Sequence, residues 1–204
     1  MKCPEYTYLH FIRHGQTDGE TAGVVMSNTD IILNRTGIKQ AHNIIRTLKD
    51  IPIYAIYSSP LSRARETADI IARSKHLPVQ IDKALIERDA GIYEGHSFQY
   101  TRPNRGHFLT RLPYSGLFGL SGMETDISIA ERLHPFLIKV ISEYVGKHVL
   151  LVSHAGIMRY LLNLMNMQYY KDMGKIRIQN TAILTARGNS FYIEGISISG
   201  LIRN

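Results

Sequence analysis

Short apolar runs alternate along the chain with longer stretches of helical periodicity. Tyr8–Ile12 is a compact run of β-formers that stops at Arg13-His14-Gly15, the pattern of a buried strand entering a loop. From Thr36 to Asp50, Ile38, Ala41, Ile45 and Leu48 recur at helical spacing, with Thr36 as the expected N-cap. Tyr54–Tyr57 reads as a second strand. Ser58-Ser59-Pro60 follows, with Ser59 placed to cap a helix, Pro60 at its first position, and Ala64, Ala68 and Ile71 continuing it. A strand at Val79–Asp82 and a turn-rich stretch from Glu87 to Gly95 come next. A helix is expected from about Thr125 to Tyr144, with Ala130, Leu133, Leu137, Ile141 and Tyr144 on one face. Ser128 and Glu131 have capping-box spacing near its start, and Pro135 should kink or split it. Val149–Val152 is the clearest buried strand; it ends at Ser153-His154-Ala155-Gly156 and opens a helix carrying Ile157, Leu161 and Leu164. Two further strands are expected near Ala182–Thr185 and Phe191–Ile198, and no repeat is visible.

Residues 96–124 break this alternation. Glycine and proline recur from Pro103 to Gly119, and no acidic residue lies between Glu94 and Glu124, although Arg102, Arg105 and Arg111 do. The segment reads as an insertion or lid within a single domain spanning 1–204. Its arginines have two readings: a solvated basic loop, or a lid that contacts a second anionic group of a substrate. In the second reading Tyr100, Phe108 and Tyr114 would wall the pocket. Strands alternating with helices imply an α/β fold, a mostly parallel central sheet with helices on both faces. Ligands in such sheets sit beyond the carboxyl ends of the strands. Arg13-His14, Ser58-Ser59 and Ser153-His154 each occupy such an end, so residues far apart in sequence are expected to meet.

Composition narrows the chemistry. With 44% hydrophobic and 20% charged residues among 204, the chain reads as an ordinary globular protein. A single cysteine, Cys3, excludes an internal disulfide framework and a cysteine-rich zinc site. No apolar run approaches the roughly 20 residues that span a bilayer, and Met1–Tyr6 lacks a signal peptide's apolar core. The expectation is a soluble, cytoplasmic protein without a membrane partner. The formal charge of +7 favours anionic partners. No basic helix or aromatic platform of a nucleic-acid module is evident, so nucleic acid is not the expected partner.

The converging residues suit phosphate. Arg13, Arg63, His14 and His154, together with the helix start after Ser58-Ser59-Pro60, would make a positively charged, phosphate-sized pocket. An imidazole can act as nucleophile, and a carboxylic acid of raised pKa can protonate the leaving oxygen. Glu87 is the candidate acid, with Glu94 as its rival and the more natural turn or rim residue; Arg65 is the rival of Arg63. The remaining histidines are scattered and do not read as metal ligands.

These residues carry a family resemblance. Arg13-His14-Gly15-Gln16-Thr17, Leu33–Ala41, Ser58–Ala68, Glu87–Gly95 and Val152–Gly156 resemble, in order, the blocks of the histidine phosphatase superfamily. That superfamily includes cofactor-dependent phosphoglycerate mutases and acid-phosphatase-like enzymes. Gly122–Thr125 and Asn180–Ala182 are looser matches. The resemblance implies that His14 attacks phosphorus and becomes phosphohistidine. Arg13, Arg63 and His154 would hold the phosphoryl oxygens, while Glu87 protonates the leaving group and then activates water. No metal and no cofactor are implied. Gln16 and Thr17, and the lid arginines Arg102 and Arg105, are further candidates for substrate binding. One departure stands out. Glu20 occupies the position where family members commonly carry an asparagine that helps bind phosphate, and a carboxylate facing phosphate is repulsive. Either Glu20 points away, Gln16 or Thr17 substitutes for it, or activity is reduced. The Tyr93-Glu94-Gly95 ending and the absence of tryptophan look more like the phosphatase branch than the mutases. The expected function is a metal-independent phosphatase acting on a small phosphomonoester. A mutase-type phosphotransferase and a weakened phosphate- or protein-binding module remain the alternatives.

Overall fold

The computed structural model describes residues 6–97, 122–165, 176–189 and 193–203. The strands are β1 (Thr7–Arg13), β2 (Ile53–Ser58), β3 (Val79–Ile81), β4 (His148–Ser153), β5 (Ile176–Gly188) and β6 (Ile193–Arg203). The helices are α1 (Asp18–Thr21), α2 (Arg35–Thr47), α3 (Ser62–Lys75), α4 (Asp126–Glu143) and α5 (Ala155–Met165). The strands form one six-stranded sheet in the order β3-β2-β4-β1-β5-β6. The first four in that order run parallel, and β5 and β6 add an antiparallel edge. The expected α/β architecture is the observed one.

β4 shows why the pattern works. It lies between β2 and β1, is covered on both faces, and reads Val149-Leu150-Leu151-Val152 without a polar interruption. Val149 and Leu151 pack with α4 and α5, through Leu133, Leu137, Ile157 and Leu161. Leu150 and Val152 point the other way, into the cluster of Ile44, Leu48, Ala64, Ala68 and Ile71 from α2 and α3.

Several local expectations shift. α2 is capped by Asn34, whose side chain accepts from the Gly37 amide at 2.8 Å, rather than by Thr36. Gly37, Ala41 and Ile44 are its buried residues, while Ile38 is 41% exposed. α3 begins at Ser62, after Leu61, not at Pro60. Its first turn is capped from a distance: Asp30 accepts from the Ser62 amide at 2.6 Å and from the Ser62 hydroxyl at 2.8 Å. That helix start is therefore already matched to an internal carboxylate. α4 is capped by Thr125, which accepts from the Ser128 amide, and it runs unbroken through Pro135. Pro135 lies on the exposed side, where water can satisfy the carbonyl it leaves without a donor. Leu164 is exposed rather than part of the buried face of α5. β5 and β6 extend beyond the short strands expected, because each supplies the other's ladder.

Candidate active site

β2, β4 and β1 are neighbours, and their carboxyl ends are in register: Ser58 pairs with Val152, and Arg13 with Ser153. The ladder continues one residue past each strand. The His14 amide donates to the Ser153 carbonyl, and the Ser59 amide to the Val152 carbonyl, both at 3.0 Å. This places His14, Ser59 and His154 side by side. The His14 and His154 rings lie 5.1 Å apart between centroids.

The tautomer of His14 follows from its partners. Its Nδ1 lies 2.7 Å from the Gly15 carbonyl, which can only accept, so Nδ1 carries the proton. Arg63 Nε, which can only donate, lies 3.3 Å from His14 Nε2, so Nε2 presents a lone pair. Burial, then the charges of Arg13 and Arg63, hold His14 well below the ordinary histidine pKa, outweighing the Gly15 carbonyl. The ring is a buried, neutral, oriented base. The loop that carries it is clamped by a close backbone approach: a Cβ on Gly37 would sit 2.1 Å from the Gln16 carbonyl oxygen.

Arg63 is 1% exposed and sits in the first turn of α3, whereas Arg65 is exposed. Its Nη1 donates to the Thr29 carbonyl at 2.9 Å, and Nη2 to the Ser27 and Met26 carbonyls at 2.6 and 3.3 Å. Glu94 holds that loop from outside, accepting from the Ser27 amide, the Thr29 amide and the Thr29 hydroxyl. Burial pushes the Glu94 carboxyl up, but these hydrogen bonds outweigh it and leave it below the usual carboxylate range. Glu94 is thus a support for the Arg63 cradle. The cradle itself escaped the sequence reading, because it is built of backbone carbonyls that leave no side-chain signature.

Glu87 lies at the start of α5. Its carboxylate accepts from the Gly156 amide at 3.0 and 3.3 Å and from the Arg88 amide at 2.8 Å. Gly156 leaves no spare space: a Cβ there would lie 2.3 Å from Glu87 Oε1. The segment is fixed from behind by Arg132, which donates to the Ala84 carbonyl at 2.6 Å and makes a forked pair with Glu124. His154 is fully buried, and its Nε2 lies 2.8 Å from the Ser59 hydroxyl. Burial, then the charges of His14, Arg63, Arg13 and Arg132, keep His154 well below its ordinary pKa.

Glu20 does not point away. It pairs with Arg13, whose Nη1 also donates to the Ile178 carbonyl. Its other carboxylate oxygen accepts from the Thr17 amide at 3.1 Å and from Asn180 Nδ2 at 2.9 Å. Thr17 is fully buried as the reciprocal partner in this capping box. Gln16 Oε1 accepts from Asn34 Nδ2 at 3.1 Å, and the Gln16 amide donates to Gln40. The side chains of Gln16 and Thr17 therefore already have local partners. Arg102, Arg105 and Arg111, with Tyr100, Phe108 and Tyr114, lie outside the described residues. Among the described residues, no group of three or more His, Cys, Asp or Glu could hold a metal ion. No described helix is long and apolar enough to cross a membrane.

An oriented neutral histidine at the end of one strand, a second on the neighbouring strand and an arginine on the next helix define a class of protein. The chain belongs to the histidine phosphatase superfamily (branch 1), which it matches over residues 9–194. It is 34% identical over 156 residues to the uncharacterised phosphatase PhoE of Bacillus subtilis (strain 168), with 76% of each chain covered. It is 27% identical over 202 residues to the metal-independent phosphoserine phosphatase of Arabidopsis thaliana, covering 95% of this chain and 82% of that one. The solved phosphoserine phosphatase of Entamoeba histolytica, in complex with 3-phosphoglyceric acid, superposes with a TM-score of 0.78. It is 28% identical, and the match covers 95% of this chain and 96% of that one.

Proposed function

We propose that this chain hydrolyses a small phosphomonoester, without a metal or other cofactor, through a phosphohistidine on His14. The observation that carries the reading is the His14–Arg63 contact. Arg63 Nε donates to the Nε2 lone pair of His14, so a phosphoryl group that takes the place of this hydrogen bond meets nucleophile and counter-charge together. In the first step the His14 Nε2 lone pair forms the N–P bond while the ester P–O bond breaks. Glu87 gives its proton to the departing alkoxide. In the second step Glu87 takes a proton from water, the hydroxide attacks phosphorus, and the N–P bond breaks to release orthophosphate. Arg13, Arg63 and His154 hold the equatorial oxygens and offset their charge.

Relatives named as phosphatases support the hydrolase reading, others are named as probable phosphoglycerate mutases, and phosphoserine and phosphoglycerate-like esters are the first substrates to try. The single-domain reading of 1–204 is supported by a family match that covers most of the chain. Its lid, residues 96–124 with Arg102 and Arg105, is part of the proposal. A cytoplasmic location fits the single cysteine. The test is hydrolysis of an aryl phosphate with chelator present, comparing wild type with His14→Ala. Turnover that survives the chelator and disappears in the variant is expected. Turnover retained by the variant overturns the assignment of His14. Phosphoryl transfer to phosphoglycerate in place of water would identify a mutase.

A further inference from the structure

We infer that Ser59 is a positioning residue that sets the tautomer of His154, making that neutral imidazole a hydrogen-bond donor through Nδ1. Its catalytic consequence rests on the phosphatase reading above; the tautomer itself does not.

The argument begins with a fully buried hydroxyl. Ser59 has no exposed surface, and its Oγ has two polar partners among the described residues, the Leu61 amide at 3.3 Å and His154 Nε2 at 2.8 Å. The amide can only donate, so it takes a lone pair of Oγ. The hydroxyl proton is then left with His154 Nε2 as its acceptor. If Nε2 carried a proton instead, two N–H groups would point at Oγ and the Ser59 proton would be buried unpaired, which costs roughly 1–3 kcal/mol. With Nε2 accepting, the ring proton of neutral His154 must sit on Nδ1. Nδ1 is itself buried, and among the described residues it has no hydrogen-bond partner. A buried N–H without a partner, on a ring 5.1 Å from the His14 ring, is matched by an acceptor that the protein does not supply. A phosphoryl oxygen on its way to His14 is such an acceptor.

The two histidines then hold opposite tautomers for opposite tasks. A carbonyl beside His14 holds its proton on Nδ1 and leaves the nucleophilic lone pair on Nε2, where Arg63 donates to it. A hydroxyl beside His154 fills Nε2 and turns Nδ1 into a donor. Burial and the neighbouring charges keep His154 neutral, so it has one N–H, and the tautomer decides that Nδ1 is the nitrogen that donates. Ser59 is not the N-cap of α3: the helix begins at Ser62, and Asp30 accepts from the Ser62 amide.

The experiment is nitrogen-15 NMR of the imidazoles in the full-length protein, with His154 assigned by its loss in His154→Gln, alongside kinetics of Ser59→Ala and Ser59→Cys on an aryl phosphate. The expected result is a wild-type His154 protonated at Nδ1. In Ser59→Ala that proton redistributes toward Nε2 and kcat/KM falls about tenfold, the loss of one buried hydrogen bond. In Ser59→Cys, a weak donor, both readouts are intermediate. A wild-type His154 protonated at Nε2 overturns the inference, as does Ser59→Ala with an unchanged tautomer, whatever its activity. If Ser59→Ala fails to fold, the wild-type spectrum still decides. Absence of turnover by the wild type would refute the phosphatase reading and leave the tautomer to be read from the spectrum.

Discussion

His10 offers a measurable link between pH and stability. It sits in the middle of β1, 3% exposed, with Nε2 at 2.9 Å from His148 Nδ1 and Nδ1 at 3.1 Å from the Thr185 hydroxyl. Tyr8 stacks on the His148 ring at 4.6 Å between centroids. Burial, and then the neighbouring His148, lower the His10 pKa from 6.5 to about 4. The folded protein therefore resists a proton that the unfolded chain accepts readily. The stability His10 contributes is complete above about pH 6.5 and is lost as the pH falls toward 4, where the folded state also protonates. Between about pH 7.5 and about pH 5 the loss amounts to roughly 2 kcal/mol, and the full shift to about 3.4 kcal/mol. In a chain of this length 2 kcal/mol corresponds to about 4–8 °C in melting temperature. The perturbation is His10→Gln, which keeps hydrogen-bonding capacity toward Thr185 and His148 without titrating. Urea unfolding of both proteins at the two pH values isolates the His10 share, because the other buried histidines act in the same direction in each. The wild type should lose roughly 2 kcal/mol more than the variant on acidification. Equal losses would show that His10 is not held neutral by the fold, and the reasoning would fail.

Three further outcomes concern the site. Gly156→Ala puts a methyl carbon 2.3 Å from Glu87 Oε1 and must displace the carboxylate, so kcat should fall more than about tenfold while the melting temperature moves by only a few degrees; an unchanged kcat would remove Glu87 from the chemistry. Because burial, Arg13 and Arg63 all disfavour the protonated form of His14, the acidic limb of the kcat/KM profile should lie below pH 6.5. Replacing Arg63 with Gln should move that limb upward, and a limb that stays in place would separate Arg63 from the titration of His14. Glu20→Asn removes the carboxylate paired with Arg13, and inhibition by orthophosphate should tighten several-fold as the guanidinium becomes available to it; weaker inhibition would show instead that Glu20 orients Arg13 for the anion.

Much of this architecture was legible because it rests on local chemistry. Val149–Val152 had to be buried on both faces, and the alternation of such runs with periodic helices could only build a covered, mostly parallel sheet. The strand-end residues Arg13-His14, Ser58-Ser59 and Ser153-His154 were readable as a set, since parallel strands in one sheet bring their carboxyl ends to one side. Capping was less legible, because competing partners lay far off in sequence. Asp30 accepts from the Ser62 amide at the start of α3, and Asn34 rather than Thr36 accepts from the Gly37 amide at the start of α2, where Gly37 lies against Gln16.

What the amino-acid order determined by itself is the inventory: which strands are buried, which helices follow them, and which imidazoles, arginines and carboxylates stand at the ends. What only the tertiary structure decided is how each side chain is used. Glu20 is matched to Arg13, Glu94 to a loop whose carbonyls hold Arg63, and Ser59 to His154. The physical reason is one of range. Periodicity and strand burial are set by residues a few positions apart, whereas the orientation of a buried polar group is set by whichever donor or acceptor the folded chain brings within 3 Å of it.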